Sequence, residues 1–232
     1  MSKLADEILK SYKANWEKFY VVAVTGSVAV GKTTIANQLA QDLSQAFPEL
    51  TTAVISVDAF IFSNQELHDR GLFDKKGFPD SYDLQGLHAA ISQLRAGSQN
   101  ILIPKYSLAA NDIAKGEFEK ITRPKILIIE GVTALQVRDY DISVYVDADE
   151  KLIYQWFLKR TLAFIQAAKN DPASFYYQLS KMPIPQLMPL IEQTWQQTNL
   201  KNLKEFIEPT KAQADIIVHK TSKHKTDSIM IR

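Results

Sequence analysis

Cysteine is missing from this 232-residue sequence, which excludes disulfide bonds, thiolate nucleophiles and thiolate metal sites and is compatible with a reducing compartment. No apolar run approaches the ~20 residues that a bilayer-spanning helix needs. Asp6 and Glu7 fall where a signal peptide requires an apolar core. The formal net charge is only +1, which gives no electrostatic reason to expect nucleic acid or an acidic membrane as a partner. These absences favour a soluble, cytoplasmic enzyme.

The chain is 46% hydrophobic, enough to bury a full core, and we expect one domain over residues 1–232. Ser2 can cap an N-terminal helix within residues 1–19. Leu4, Ile8, Tyr12 and Trp16 recur every four residues there and predict an apolar stripe that packs on the main body. The polar tail, residues 220–232, is expected to be loose.

A glycine-rich stretch after the apolar run 20–25 fits G-x-x-x-x-G-K-[ST], the phosphate-binding P-loop. Ile35 and Leu39 then follow with the period of a helix, so the chance match of a glycine turn is disfavoured. In such a loop, inward-pointing N–H groups and a helix N-terminus attract phosphate. Lys32 would reach the β- and γ-phosphates, and Thr33 would ligate Mg²⁺. The predicted nucleotide-binding residues are Gly26, Ser27, Val28, Ala29, Val30, Gly31, Lys32, Thr33 and Thr34.

Acidic residues end two further apolar runs. Asp58 follows the run 53–57, and ligands of open α/β sheets bind beyond the carboxyl ends of strands. Its position fits a general base, a metal-shell ligand or a cap of the next turn, without choosing among them. Glu130 ends the run 126–129, the Walker B pattern whose acid holds Mg²⁺. Buried strands often end in an acid, but the neighbouring P-loop favours the metal role.

Alternating strands and helices predict an α/β P-loop NTPase fold, with a mainly parallel sheet and helices on both faces. Residues 60–82 form a long loop, which indicates a functional or mobile segment. Two extended segments, 101–107 and 117–122, predict a hairpin flap over an acceptor pocket. Residues 150–182 are expected to supply lid and acceptor helices. Lys159 and Arg160 could close over phosphates there, or could lie on a solvated helix face.

Several motifs resemble the bacterial type I pantothenate kinase family, within the phosphoribulokinase/uridine kinase group of P-loop kinases. The similarity covers roughly residues 20–224. The motifs are the P-loop, Arg70-Gly71-Leu72, Lys76-Gly77-Phe78-Pro79-Asp80-Ser81-Tyr82-Asp83, Tyr106-Ser107, Ile128-Ile129-Glu130-Gly131, Asp171-Pro172, Asn202-Leu203-Lys204 and Pro209-Thr210.

The resemblance implies phosphorylation of pantothenate by MgATP, the first step of coenzyme A synthesis, and by analogy a homodimer. It places Asp58 as the catalytic carboxylate that orients or deprotonates the acceptor hydroxyl. Lys32 and Arg160 would neutralise the transferring phosphoryl group, while Thr33 and Glu130 would serve the metal. The substrate-contacting positions by this resemblance are Tyr106, Asn202, Phe157 and Phe175.

The chain also departs from the family pattern, mostly by losing polar groups. Leu108 stands in place of a histidine and Asn37 in place of a basic residue, so weak inhibition by coenzyme A is expected. The lost pocket groups predict poor turnover of pantothenate and a less polar acceptor. The rival hypotheses are a same-fold kinase for uridine or another nucleoside, glycerate or a sugar, and a non-catalytic nucleotide-binding module. The intact catalytic set disfavours the module. Pocket tyrosines of the family are replaced at Asn111, Phe157, Phe175 and Leu179.

Overall fold

The computed structural model describes residues 2–15 and 19–232 and contains a central sheet and a separate hairpin. Its strands are β1 (Tyr20–Gly26), β2 (Thr52–Ser56), β3 (Asn100–Ser107), β4 (Asp112–Thr122), β5 (Ile126–Glu130), β6 (Ile142–Ala148), β7 (Ile216–Lys220) and β8 (Thr226–Ile231). The six-stranded sheet has the order β2-β5-β1-β6-β7-β8 and is parallel except for the β7–β8 pair. β1 therefore lies inside the sheet, which places the P-loop that follows it near the centre.

Helices flank this sheet, as the alternating pattern predicts. They are α1 (Lys3–Asn15), α2 (Lys32–Ala46), α3 (Asn64–Asp69), α4 (Leu84–Arg95), α5 (Glu150–Ala167), α6 (Tyr177–Ser180) and α7 (Ile184–Thr194). The chain stays helical beyond α7, through π-type turns at Trp195–Leu200 and Leu203–Ile207. The P-loop helix α2 packs against β1, β2 and β5. The predicted α/β class and the mainly parallel sheet are confirmed.

The register of the sheet brings the carboxyl ends of three strands together. Every residue of β1 and β5 is buried, because strands of a parallel sheet are covered on both faces and read as continuous apolar runs. Glu130 at the end of β5 pairs with Val24 of β1 on one side and with Ser56 of β2 on the other. The P-loop after β1, the turn after β2 and the last residue of β5 therefore meet at one edge of the sheet.

Two predicted loop features take a defined form. β3 and β4 pair as an antiparallel hairpin outside the main sheet, and β4 begins at Asp112 and not at residue 117. Loop 60–82 folds into α3 and short 3₁₀ turns, and a bridge between Ile61 and Tyr82 closes its ends. A capping box formed by Ser63 and Glu66 starts α3, since each side chain binds the other residue's backbone N–H.

The tail beyond Lys220 is not loose, and that expectation was wrong. Residues 226–231 form β8, which pairs with β7, and Ile229 packs against the core. β8 is an edge strand exposed at nearly every position, so no buried apolar pattern marks it in the sequence. In α1, Leu4 and Ile8 are buried as predicted. Trp16, the last member of that stripe, lies outside the described residues.

Candidate active site

The P-loop adopts a conformation that depends on its glycines. Gly26 has φ +145° and Gly31 has φ +95°, and a Cβ atom on Gly26 would collide with the Val146 carbonyl oxygen. Gly31 is the N-cap of α2, so the free N–H groups of the first helical turn face the loop. The Lys32 ammonium donates to the Ser27 carbonyl oxygen at 2.8 Å. The predicted P-loop residues thus form one continuous anion-binding turn.

Four charged groups converge at this edge of the sheet. Burial lowers the pKa of Lys32, and the nearby carboxylates of Glu130 and Asp58 oppose that shift. Burial raises the pKa of Glu130 above its ordinary value, with Lys32 and the Thr33 hydroxyl opposing. The Thr33 hydroxyl donates to Glu130 Oε1 at 2.9 Å. Desolvation lowers the pKa of the Arg160 guanidinium, and the Asp58 charge opposes that shift. The Arg160 charge also adds to the lowering of the Lys32 pKa.

Asp58 lies in the 3₁₀ turn directly after β2, half-buried at the wall of a cavity of about 750 Å³. Its Oδ1 accepts a hydrogen bond of 3.0 Å from the Tyr82 hydroxyl. Burial and the Asp58 charge raise the pKa of Tyr82 well above its ordinary value, so Tyr82 stays a protonated donor. The side chain of Asp58 therefore faces the cavity and does not cap the next turn.

The cavity joins a polar half to an apolar half. Asn202 is buried, and its Nδ2 donates to the Gly77 carbonyl oxygen at 2.6 Å. Its Oδ1 has no partner among the described residues and remains available to a ligand donor. The polar lining groups include Asp58, Asp74, Lys76, Tyr106, Asn111, Arg160 and Asn202, and the apolar ones include Phe157, Phe164, Phe175, Leu179, Leu187 and Ile191.

The structure thus brings together all four predicted substrate positions in one cavity with Asp58. Lys159 and Arg160 are both exposed on α5, but only Arg160 lines this cavity. The alternative of a purely solvated helix face therefore fits Lys159, whereas Arg160 also faces the cavity. Leu108 projects from the flap turn and is 61% exposed.

Sequence reasoning missed a second cation beside the P-loop. Lys220, at the end of β7, is only 3% exposed and has no hydrogen-bond or ion-pair partner among the described residues. A Cβ atom on Gly31 would lie 2.5 Å from its Nζ, so the ammonium lies directly on the loop. His224 stacks on Trp156 with 3.8 Å between ring centroids and also approaches Gly31. The available signal is a basic residue just after the mostly apolar run 214–218, where the polar composition that follows predicts a loose tail.

The fold and this site define a P-loop kinase that acts on small molecules and uses ATP. The chain belongs to the phosphoribulokinase/uridine kinase family, whose sequence model matches residues 21–163. It is 42% identical over 222 residues to the pantothenate kinase of Lacticaseibacillus casei, covering 92% of this chain and 72% of that one. The pantothenate kinase of Enterococcus faecalis is 38% identical over 222 residues, with the same coverage of 92% and 72%. The resemblance noted from the motifs is confirmed.

Solved structures support the fold. The D-glycerate 3-kinase of Cryptococcus neoformans superposes with a TM-score of 0.62 at 14% identity, covering 100% of both chains. A structure from Silicibacter sp. TM1040, described as a candidate fructose transport system kinase, has a TM-score of 0.70 at 22% identity and covers 90% of this chain and 95% of its own. Among the described residues, no helix is long and apolar enough to cross a membrane.

Proposed function

We propose that this protein transfers the γ-phosphoryl group of MgATP to the primary hydroxyl of pantothenate. The observation that carries the proposal is the convergence of Lys32, Asp58, Glu130 and Arg160 where the P-loop meets the acceptor cavity. Relatives of about 40% identity named pantothenate kinase support the choice of acceptor. Phosphoryl transfer relies on positioning and charge stabilisation, and these four groups can supply both.

In this mechanism, Asp58 accepts the proton of the acceptor hydroxyl as its oxygen attacks the γ-phosphorus. The new O–P bond forms while the bond from the γ-phosphorus to the bridging oxygen breaks, and ADP leaves. Tyr82 donates to Asp58 Oδ1 and so fixes the direction of the carboxylate. Lys32 and Arg160 stabilise the negative charge that spreads over the transferring group.

Thr33 and Glu130 are the residues that would hold Mg²⁺. Their hydroxyl and carboxylate lie 2.9 Å apart, next to the P-loop. No cluster of three or more metal-ligating side chains occurs among the described residues. That fits Mg²⁺ in kinases, which takes one or two protein ligands and completes its shell with phosphate oxygens and water. When bound, the ion would neutralise charge on the β- and γ-phosphates.

Lys220 and the Trp156–His224 stack extend the proposed nucleotide site beside Gly31 of the P-loop. An unpaired ammonium against Gly31 is suited to a phosphate oxygen, and flat rings nearby suit a base. The apolar end of the acceptor cavity predicts weaker discrimination among acceptors than a fully polar pocket would give.

Turnover with labelled ATP over a panel of pantothenate, pantetheine, uridine, glycerate and a sugar tests the proposal. Phosphorylation of pantothenate above every other acceptor supports it. Strong preference for another member of the panel overturns the choice of acceptor, and no transfer to any member overturns the kinase mechanism. The homodimer stays a prediction, which light scattering of the purified protein checks.

A further inference from the structure

The turn of the flap hairpin is attached to both walls of the acceptor cavity. On one side, the Asn111 carbonyl oxygen accepts from the Lys76 ammonium and from Asn64 Nδ2. On the other side, the Ala109 carbonyl oxygen accepts from the Phe175 backbone N–H at 2.9 Å. The turn is therefore anchored on both sides of the cavity, and Asn111 is the turn residue that lines it.

Within this turn, the Asn111 side chain holds Tyr106. The Tyr106 hydroxyl donates to Asn111 Oδ1 at 2.8 Å. Asn111 has φ +49°, a left-handed conformation that asparagine tolerates better than most residues. The register of the hairpin also shifts between Pro104 and Tyr106, an irregularity that re-aims the following side chain. Two separate features of this chain thus direct Tyr106 into the cavity.

The bond to Asn111 determines what the Tyr106 oxygen can do next. Burial and the Asp58 charge raise the pKa of Tyr106, so the hydroxyl keeps its single proton. That proton is committed to Asn111 Oδ1, which leaves the lone pairs of the phenolic oxygen for the cavity. A hydrogen-bond donor of the ligand can therefore bind the Tyr106 oxygen. A carboxylate placed there would bring two acceptor oxygens together with no proton between them, which is unfavourable.

We propose that Asn111 is a positioning residue for the phosphoryl acceptor: its Oδ1 accepts the hydrogen bond of the Tyr106 hydroxyl, so that the Tyr106 oxygen in turn accepts a hydrogen bond from an O–H or amide N–H of the acceptor. This role rests on the function proposed above, because it concerns the acceptor of that same site. Asn111 stands where the family that this chain resembles carries a tyrosine. The proposed role gives this asparagine a specific part in acceptor recognition.

Asn111→Gly tests the role, because glycine tolerates the left-handed backbone and removes the side chain together with its accepting oxygen. We expect KM for the acceptor to rise about 3–10-fold, the loss of one hydrogen bond, with kcat and KM for ATP within about twofold. Asn111→Asp, which restores an accepting oxygen, should bring KM back to within about twofold of the wild type. Ala110→Gly is the matched control, since it loosens the same turn without removing the bond, and it should leave KM unchanged.

A double-mutant cycle separates positioning from a structural effect. In the Tyr106→Phe background, Asn111→Gly should cause no further rise in acceptor KM, because the partner hydroxyl is already gone. An unchanged KM in Asn111→Gly, an equal rise in Ala110→Gly, or additive losses in the cycle would overturn the inference. If Asn111→Gly does not fold, Asn111→Ala removes the same oxygen and serves in its place.

Wild-type turnover of pantothenate is measured first. Its absence overturns the proposed acceptor, and the same cycle run on the acceptor that the panel identifies still decides the role of Asn111.

Discussion

Replacing Asp58 with asparagine should abolish phosphoryl transfer and leave nucleotide binding nearly intact. The two side chains have the same shape, so asparagine can still accept the Tyr82 hydroxyl that lies 3.0 Å from Oδ1. An amide cannot take the proton of an acceptor hydroxyl, however, and that proton transfer is the step assigned to Asp58. The variant therefore separates chemistry from folding.

The structure sets the size of each expected effect. Loss of a general base lowers kcat by about 10²–10⁴-fold, which corresponds to about 3–5 kcal/mol in the activation free energy. The free energy of unfolding should change by less than about 1 kcal/mol, because Asp58 is half-buried and its one side-chain hydrogen bond survives. The affinity for ATP should stay equal or rise, since a negative charge facing the γ-phosphate is removed.

Transfer from labelled ATP to pantothenate measures kcat, and isothermal titration calorimetry measures the Kd for ATP. Asp74→Asn is the matched control, because Asp74 lines the same cavity and undergoes the same chemical change. We expect Asp74→Asn to retain kcat within about threefold. A kcat of Asp58→Asn within about tenfold of the wild type would refute the role given to Asp58.

Three further predictions concern the nucleotide side. Coenzyme A should inhibit weakly, because Leu108 and Asn37 offer its phosphates no charge; tight ATP-competitive inhibition in steady-state kinetics would contradict this. Lys220→Met should raise the KM for ATP about tenfold and leave the acceptor KM unchanged, through loss of a charged hydrogen bond, with the exposed Lys223→Met as control. Burial raises the pKa of Glu130, so the folded state binds the carboxyl proton more tightly than the unfolded state does. The free energy of unfolding therefore falls as the pH rises from the ordinary carboxyl pKa through the raised pKa of the folded state. At pH 8 and without ligand, Glu130→Gln should therefore have a Tm equal to or higher than that of the wild type, and a lower Tm would contradict the burial argument. The variant should also lose the increase in Tm that MgATP causes in the wild type.

The phosphoryl-donor half of the site, which is the P-loop and the start of α2, was predictable because its residues are close together in sequence. A strand, a glycine turn and a helix lie within Tyr20–Ala46, and each element shows its own pattern. The register of the sheet then places Glu130 beside Thr33, as the Walker B pattern predicts for neighbouring strands. Asp58 also reached the predicted edge, although its position alone left three roles open.

The remaining features depend on contacts between distant segments, which no local pattern records. Lys220 reaches Gly31 only because β7 lies beside β6, two strands from β1, which carries the P-loop. The Asn111 side chain accepts the Tyr106 hydroxyl because the turn of the flap hairpin brings the start of β4 back beside the end of β3. Arg160 and Lys159 are adjacent in sequence, yet only Arg160 lines the cavity, and the helical pattern of α5 does not distinguish them.

The two halves of the site differ in how substitutions can act on them. The donor half lies on the sheet edge, where Gly26 and Gly131 admit no Cβ without collision with neighbouring strand and turn atoms, so its geometry is rigid. The acceptor half is made by the flap turn and the segments after β6. Four departures from the resembled family line the acceptor cavity there, at Asn111, Phe157, Phe175 and Leu179, while Leu108 is exposed on the flap turn. Acceptor choice can therefore change in this fold while the phosphoryl-transfer machinery stays the same, which makes the acceptor panel the more informative measurement.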